Sequence, residues 1–344
     1  MVEKKLPVAG ITLGDHAGIG PEVVAKVLSA KPGEQGYVPV VFGDDTVFRA
    51  HMERYAAARV KDIRTADAGG AIDFTEKDAI YFVDVPLKEA VPPGEVSAVS
   101  GEQMIRMMET AIGYEKKGRI DGIAAASFTK QSLALADSAI PSEFELYDRE
   151  YEAKGCDCVV VRGNIIRSTV TGHVALREIW DFLTTDAVVD NAMKLYEVMK
   201  RLGLQDGGMA VSGLNPHAGE NGLFGDEEGR ILEPAIEILR QRLGIQVIGP
   251  CPADTLFVRA MKGEVNGLVY LYHDQSNTAM KSVYFGEGNL IYINIPAWIT
   301  SLGHGSALDI AGKGVADESN MRYALDLLTE MLRSDKDDFR ATLG

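Results

Sequence analysis

The chain has 344 residues, more than one ordinary hydrophobic core accommodates, and its charged fraction of 25% is typical of a soluble globular protein. The formal net charge of −15 argues against nucleic acid or an anionic membrane as a main partner. Three cysteines without a CxxC pair, no signal-peptide core and no long apolar run predict a cytoplasmic protein without disulfides or a membrane span.

Short apolar runs that predict strands alternate along the chain with amphipathic helices. The nine predicted strands cover residues 8–13, 38–43, 79–84, 121–127, 158–161, 165–172, 208–213, 267–273 and 289–295. Two helices have clear apolar faces, one over 104–112 and one over 188–199, and their methionines are typical of core packing. This alternation predicts an α/β fold with a largely parallel sheet.

Two glycine-rich segments follow predicted strands, and neither carries the GxGxxG fingerprint of a dinucleotide-binding loop. In GDHAGIGPEVVAKVL, residues 14–28, a proline falls in the first predicted helical turn, where free N–H groups could hold an anion. In TSLGHGSALDIAGKGVADESN, residues 300–320, small side chains would let a ligand approach the backbone closely. Taken singly, both segments are weak indications of a ligand site.

Five of the six histidines follow apolar runs, at the strand ends where open α/β sheets bind ligands, and His51 lies in a helical context. His173, His217 and His273 follow β-branched or aromatic strands and are too far apart in sequence for one helix or finger. Three neutral imidazoles would suit a first-row divalent ion and leave positions open for substrate. Alternatively, one or two of them only cap strands or bond backbone carbonyls.

Six segments, taken in order, resemble the 4-hydroxythreonine-4-phosphate dehydrogenase family across nearly the whole chain. These segments are GDHAGIGPE, TGHVALRE, GLNPHAGENGLFG, GPCPADT, YHDQSNTAMK and GHGSALDIAGKGVAD. The combination of NPHAGE, PADT and YHDQ is highly specific. The last segment also resembles the nucleotide-binding loop of isopropylmalate and isocitrate dehydrogenases.

The resemblance implies a two-lobed α/β subunit of the isocitrate/isopropylmalate dehydrogenase type, usually dimeric, with the active site in the cleft between lobes. We expect residues 1–130 plus 304–344 to form the lobe with the nucleotide loop, and residues 131–303 to form the lobe with the metal histidines. The implied metal is Zn, Mg, Mn or Co, held by His173, His217 and His273. The residues implied to bind NAD or NADP are His304, Gly305, Ser306, Ala307, Asp309 and Asp317.

The resemblance also implies a reaction, in which a secondary alcohol β to a carboxylate is oxidised and the β-keto acid loses carbon dioxide. A metal on the hydroxyl would lower its pKa, and the nicotinamide would accept the hydride. Lys281 matches the family's substrate lysine and could pair with the carboxylate or assist proton transfer, unless it is an ordinary solvated lysine. Asp254 could orient that lysine or relay a proton, or it could be a helix N-cap.

The chain departs from the phosphate-type enzymes of the family at segments that bind substrate. IPSEFELY places Glu145 and Leu146 where a histidine and a threonine would stand, and Ile299 replaces an arginine. Asn289 is offset by one residue from the family's asparagine, and Gly303 replaces an aspartate. The glycine and the missing GHTE segment resemble the terephthalate dihydrodiol dehydrogenase branch, whose substrates are unphosphorylated cis-diols of a carboxylated ring. We expect Glu145, Asn289 and Ile299 to contact the substrate.

The sequence therefore predicts a metal- and NAD(P)-dependent decarboxylating dehydrogenase of a β-hydroxy carboxylic acid, with an unphosphorylated substrate such as a carboxylated cis-dihydrodiol. Two alternatives stay open: the 4-hydroxythreonine-4-phosphate dehydrogenase of pyridoxal phosphate biosynthesis, and a non-catalytic binding protein that retains the fold. NAD is expected over NADP, because Asp309 and Asp317 would repel a 2′-phosphate. The expected partners are a small hydroxy acid and a second copy of the chain in a homodimer.

Overall fold

The computed structural model describes residues 6–30, 36–66, 74, 76–284 and 286–334. The chain divides into two compact units, one formed by residues 1–157 with 289–344 and the other by residues 158–288.

The first unit is built on a mixed sheet in which all but one strand run in parallel. Its described strands are β1 (Val8–Thr12), β2 (Val38–Gly43), β3 (Ile63–Ala66), β4 (Ile80–Asp84), β5 (Gly122–Ala125), β11 (Asn289–Ile293) and β12 (Ile299–Leu302). Their order is β3-β4-β2-β1-β5-β12-β11, and β11 runs antiparallel to β12. The carboxyl ends of β1, β5 and β12 therefore lie side by side at one edge.

The second unit has the same design on a smaller scale. Its described strands are β6 (Asp157–Arg162), β7 (Ile165–Thr171), β8 (Met209–Ser212), β9 (Val247–Cys251) and β10 (Gly267–Tyr272). Their order is β6-β7-β10-β8-β9, with β6 antiparallel to β7 and the other neighbours parallel. Strand β10 thus lies between β7 and β8, and the carboxyl ends of these three strands share an edge.

Helices connect the parallel strands. The described helices are α1 (Gly20–Val27), α2 (Asp45–Tyr55), α3 (Ala98–Lys116), α4 (Lys130–Ala136), α5 (Glu143–Tyr151), α6 (Ile179–Phe182), α7 (Thr185–Arg201), α8 (Glu233–Leu243), α9 (Ala253–Met261), α10 (His273–Val283) and α11 (Ser319–Ser334). Asp44, Ser97 and Thr184 begin α2, α3 and α7 by accepting a hydrogen bond from a backbone N–H of the first turn. None of the helices in the described ranges is long and apolar enough to cross a bilayer.

The structure confirms the predicted α/β fold and all nine predicted strands, which differ from the observed bounds by two residues or fewer. It also confirms the methionine-rich faces: Met104, Met107 and Met108 on α3 are fully buried, as is Met199 on α7. The sequence prediction missed β3, β9 and β12. β3 and β12 are four residues long, and β9 contains a glycine and a proline that weaken a strand pattern.

The boundaries between the two units lie at other residues than the sequence predicted. Residues 131–157 and 289–303 were expected in the second lobe, but they belong to the first unit. The reason is strand pairing and packing: β12 pairs with β5, β11 pairs with β12, and Tyr147 of α5 lies edge-on against Tyr292 of β11, 4.7 Å between ring centroids.

Candidate active site

Each predicted metal histidine follows the carboxyl end of a strand in the second unit. His173 lies two residues beyond β7, His273 opens α10 directly after β10, and His217 lies in the loop after β8. Because β10 pairs with β7 on one side and β8 on the other, the three histidines follow neighbouring strands at one edge. This edge is where parallel α/β sheets bind their ligands.

Two of the three imidazoles are brought together within the unit. The rings of His173 and His273 lie 4.9 Å apart between centroids, whereas His217 is exposed and lies near Phe224, 6.5 Å between ring centroids. No three His, Cys, Asp or Glu side chains among the described residues form a group that could hold a metal ion. The donor type fits a first-row divalent ion, and the complete three-histidine set stays a prediction.

His217 stands on left-handed backbone. The φ angles of residues 217–221 are 51°, 52°, 79°, 43° and 56°, and only Gly219 adopts such a conformation without a steric cost. For His217, Ala218 and Glu220 the left-handed conformation costs roughly 1–2 kcal/mol each, whereas asparagine, the residue at 221, tolerates it better. Contacts from outside the run must therefore hold the loop in place.

The main outside contact is the carboxylate of Glu228. Its Oε1 accepts hydrogen bonds from the backbone N–H groups of Leu214 and Asn215, both at 2.8 Å, and its Oε2 accepts from Nδ2 of Asn215 at 2.9 Å. Burial alone would raise the pKa of Glu228, but the hydrogen bonds from Asn215 and Leu214 outweigh it, so the pKa is lowered. The sequence showed this glutamate beyond the NPH segment but assigned it no role.

A second polar contact joins the end of β8 to the end of β10. Gln275 donates from Nε2 to the carbonyl of Gly213 at 2.8 Å and accepts at Oε1 from the N–H of Leu271 at 2.9 Å. One amide side chain therefore ties the base of the His217 loop to the strand that precedes His273. Sequence reasoning missed this role, although the residue belongs to the quoted YHDQ motif.

The helix that begins at His273 is anchored to β7 by a buried arginine. Arg167 donates to Oγ of Ser276 at 3.0 Å and to Oδ1 of Asn277 at 2.8 Å. Ser276 and Asn277 in turn donate to the carbonyl of His273, both at 3.1 Å. This chain of hydrogen bonds fixes the backbone of His273 relative to the strand that leads to His173.

A cavity of about 600 Å³ lies beside the His217 loop, within the second unit. The side chains that give it its character are His217, Glu220, Asp226, Glu228 and Glu233, with Pro250 and Pro252 on one wall. Four carboxylates around one cavity produce a negative potential that favours cations.

Lys281 and Asp254, the two predicted catalytic residues, are both exposed on helices of the second unit. Lys281 lies in the last turn of α10, eight residues after His273, which is about 12 Å along the helix axis. Asp254 lies in the first turn of α9, and the N-cap position is taken by Pro252, so the alternative reading of Asp254 as the N-cap is wrong.

The predicted cofactor loop follows β12 in the first unit and is held by the loops that follow β1 and β5. Ile19 donates its N–H to the carbonyl of Ser306 at 3.0 Å, and Thr129 donates from Oγ1 to Oγ of Ser306 at 2.9 Å. Ser127 donates from Oγ to the carbonyl of His304 at 3.1 Å. Hydrogen bonds therefore join the loops after β1, β5 and β12 to one another at this edge of the sheet.

Helix α1 fixes the second half of the cofactor loop. Lys26 donates from Nζ to Oε1 of Glu22 at 2.8 Å and to the carbonyls of Gly314, at 3.3 Å, and Ala316. The same Oε1 of the buried Glu22 accepts the N–H of Ala316 at 2.8 Å. Lys26 and Glu22, one helical turn apart on α1, thus fix the loop at Gly314 and Ala316 through hydrogen bonds.

The remaining predicted cofactor residues differ in what they offer a ligand. Asp309 and Gly305 are exposed, and Ala307 has a left-handed φ of 44°. Asp317 accepts hydrogen bonds from the side chain and the backbone N–H of Ser319 near the start of α11, and these bonds lower its pKa. Asp317 is therefore ionised and engaged by the helix, while Asp309 is free to face solvent.

The loop after β1, where free N–H groups could hold an anion, encloses the side chain of Asp15. Asp15 is fully buried and accepts the N–H of Ala17 at 2.9 Å. Pro21 lies in the first turn of α1, as predicted. An anion at this helix start stays a prediction.

Of the three expected substrate residues, two are buried and one is exposed. Ile299 and Asn289 are fully buried in β12 and β11, and Nδ2 of Asn289 donates to the carbonyls of Ser301 and Asn320 at 3.2 Å and 2.8 Å. Glu145 is exposed but accepts a hydrogen bond from Oγ of Ser142, the N-cap of α5. A serine followed three residues later by a glutamate is a capping signature, which IPSEFELY already contained.

Comparison with known proteins identifies the family. Residues 35–328 match the family model described as pyridoxal phosphate biosynthetic protein PdxA. The chain belongs to this family. A similar PdxA-type relative is the D-threonate 4-phosphate dehydrogenase of Bordetella bronchiseptica, 34% identical over 334 residues that cover 95% of this chain and 93% of the relative.

Solved structures agree with this assignment. The 4-hydroxythreonine-4-phosphate dehydrogenase of Klebsiella pneumoniae superposes with a TM-score of 0.77 at 31% identity, covering 96% of this chain and 99% of the other. The terephthalate 1,2-cis-dihydrodioldehydrogenase of Burkholderia xenovorans LB400 has a TM-score of 0.64 at 27% identity, with 95% and 98% covered. The predicted resemblance is confirmed, and the chain is a PdxA-type dehydrogenase.

Proposed function

We propose that this chain oxidises the secondary hydroxyl of a phosphorylated β-hydroxy acid, with NAD or NADP as hydride acceptor and a divalent metal held by His173, His217 and His273. The observation that carries the proposal is the position of these three histidines, which follow three neighbouring parallel strands of the second unit. An edge of this kind is the usual ligand site of the fold.

The metal would supply Lewis-acid chemistry, lowering the pKa of the substrate hydroxyl and polarising the ketone that forms from it. His173 and His273 already lie side by side. Lys281 provides a cation for the substrate carboxylate, and Asp254 provides a proton acceptor. With an electron-withdrawing ketone β to the carboxylate, loss of carbon dioxide completes the proposed reaction.

The loop over 304–317 is proposed to hold the nicotinamide cofactor in the first unit. It is fixed by Lys26 and Glu22, which supports a preorganised binding loop rather than a mobile connection. The exposed carboxylate of Asp309 supports NAD over NADP, because it would repel a 2′-phosphate. A catalytic efficiency with NADP at or above that with NAD would contradict this preference.

The choice of a phosphorylated substrate reverses the expectation from the sequence. That expectation rested on Gly303 and the missing GHTE segment, and on Glu145, Leu146 and Ile299 standing where the phosphate-type enzymes have other residues. Ile299 and Leu146 are fully buried, and Glu145 is bonded to Ser142 at the start of α5. The relatives described above act on phosphorylated substrates by name, and they are more similar to this chain than the terephthalate dihydrodiol enzyme is.

A homodimer is proposed from the apolar side chains exposed near the histidines. Leu176, Trp180 and Phe182 follow His173, and all three expose about half of their surface or more. Large exposed apolar side chains close together mark interaction surfaces. Light scattering of the purified protein measures the oligomeric state, and a monomer at micromolar concentration would contradict this part of the proposal.

The experiment that tests the function is NAD(P)H production by the purified protein on three substrates: D-threonate 4-phosphate, 4-hydroxythreonine 4-phosphate and a carboxylated cis-dihydrodiol. We expect turnover of at least one phosphorylated acid, abolished by a chelator and restored by a divalent metal. Turnover of the dihydrodiol alone would favour the unphosphorylated alternative. Metal-independent turnover would contradict the role of the histidines, and no turnover with normal NAD binding would favour the non-catalytic alternative.

A further inference from the structure

We propose that Glu228 is a positioning residue that fixes the His217 loop in the geometry required for metal binding; the inference rests on the proposed role of His217. The carboxylate of Glu228 is only 5% exposed, yet it accepts three hydrogen bonds from Leu214 and Asn215, the residues that lead into His217. A side chain that holds the backbone before a ligand determines where that ligand points.

External support matters for this loop because most of its residues disfavour its conformation. Residues 217–221 are all left-handed, and His217, Ala218 and Glu220 carry side chains that disfavour this conformation. The next polar anchor, Gln275, bonds the carbonyl of Gly213 and therefore fixes only the start of the loop. Glu228 accepts the backbone N–H groups of Leu214 and Asn215, which lie between Gly213 and the left-handed run.

Two glycines leave the room that this arrangement requires. A Cβ atom at Gly219 would lie 2.7 Å from Oε2 of Glu228, and a Cβ atom at Gly225 would lie 2.5 Å from Nδ2 of Asn215. Both distances are too short for a side chain without displacement of the carboxylate or the amide. The loop therefore wraps closely around the Glu228–Asn215 pair.

The neighbouring Glu227 provides a matched control. Its Oε2 accepts a hydrogen bond from the same Nδ2 of Asn215, at 2.7 Å, whereas the backbone N–H groups of Leu214 and Asn215 donate to Glu228. Removal of either carboxylate changes the net charge beside the loop by the same amount. Only Glu228→Gln removes the charge from the acceptor of the two backbone N–H groups, and it turns an NH2 group toward the donor Nδ2 of Asn215.

The test is a Co²⁺ titration of the full-length protein, followed by the ligand-field absorption spectrum. We expect Glu228→Gln to weaken Co²⁺ binding ten- to a hundredfold and to change the spectrum, because outer contacts of metal ligands have effects of about this size. We expect Glu227→Gln to weaken Co²⁺ binding by less than tenfold. Hydrogen exchange of the metal-free variants should show faster exchange at Leu214 and Asn215 in Glu228→Gln alone.

A combined substitution separates positioning from a general loss of the fold. Asn215→Asp alone adds a third carboxylate and should weaken Co²⁺ binding. Combined with Glu227→Gln and Glu228→Gln, it reverses both hydrogen bonds, because the amides introduced at 227 and 228 can donate to the carboxylate introduced at 215. We expect this triple variant to recover the Co²⁺ spectrum of the unmodified protein.

Each outcome decides the inference. Unchanged Co²⁺ affinity and spectrum in Glu228→Gln, with binding lost in His217→Ala, would overturn the role of Glu228 and leave the proposed function standing. Retained Co²⁺ binding in His217→Ala would instead overturn the proposed function. A lowered melting temperature of the metal-free Glu228→Gln protein, with no recovery of the Co²⁺ spectrum in the triple variant, would mean that Glu228 only stabilises the fold and would also overturn the inference.

Discussion

The two candidate ligand loops are held in different ways. The cofactor loop after β12 is bonded by residues far away in sequence: Ser306 meets Thr129 across 177 positions, and Ala316 meets Glu22 across 294. The His217 loop after β8 is held by Glu228, only 13 positions beyond Asn215. The first loop therefore depends on the assembly of its whole unit, whereas the second is fixed largely by one short segment.

This difference predicts that single substitutions act differently in the two places. One substitution in the short segment should remove most of the metal binding of the His217 loop. One substitution in the cofactor loop should lower its affinity for NAD only in part, because several contacts hold that loop. The following measurements test that contrast.

The largest effect is expected from His217→Ala. Loss of a ligand should exceed the loss from an outer contact, so metal affinity should fall by more than about a hundredfold, and activity should fall with it. Metal content after dialysis and NADH production measure the two losses. His51→Ala, on α2 of the first unit, is the matched control and should keep both; a metal-loaded and active His217→Ala protein would remove His217 from the site.

A smaller loss is expected from Lys281→Ala. A charge-assisted pair with the substrate carboxylate is worth roughly 1.5–3 kcal/mol, which corresponds to about a ten- to hundredfold loss in kcat/KM. Steady-state kinetics of this variant and of Lys262→Ala, an exposed lysine at the end of α9, provide the comparison. Equal kinetics for both variants would show that Lys281 is an ordinary solvated lysine.

A milder and more selective effect is expected from Lys26→Met. The substitution removes the bonds to Gly314 and Ala316 and the ion pair with Glu22, but it leaves the loops after β1 and β5 in place. We expect the KM for NAD to rise by about tenfold or less, the equivalent of one hydrogen-bonded group, with little change in kcat. Lys117→Ala serves as the control, and a fall in kcat without a change in KM would contradict a binding role.

The smallest effect concerns pH and stability. Because the pKa of folded Glu228 lies below its ordinary value of 4.5, this carboxylate stabilises the fold above that pH, and the contribution is lost as the pH falls toward the lowered pKa. Urea unfolding of the unmodified protein and of Glu228→Gln at pH 7 and below pH 4.5 measures it. The difference between the two proteins should shrink at the lower pH; a constant difference would contradict the lowered pKa.

The sequence predicted the parts of the fold that depend on local pattern. The strands before His173 and His273 are short apolar runs with clear ends, so the positions of both histidines at strand ends followed directly. The left-handed backbone after Asn215 could not be predicted, because most of its residues have no preference for that conformation. Gly219 and Asn221 are the residues of the run that tolerate this conformation.

Substrate contacts were harder to predict because they depend on burial. Ile299 aligns with a binding residue of the family, but it lies in a four-residue strand between two neighbours and faces the core. Glu145 stands where the family has a histidine, and its contact with substrate stays a prediction. Its spacing from Ser142 also indicates a helix start, which the structure confirms.

The left-handed run at 217–221 also limits the evolutionary routes open to this loop. Valine, isoleucine and threonine are strongly disfavoured there, whereas glycine, asparagine and aspartate are tolerated. Glycine should therefore be accepted at position 218 more readily than most other residues, although glycine usually destabilises a helical or strand position. New specificity is more accessible through residues that line the neighbouring cavity from outside the run, such as Glu233 and Pro252, than through the residues adjoining His217.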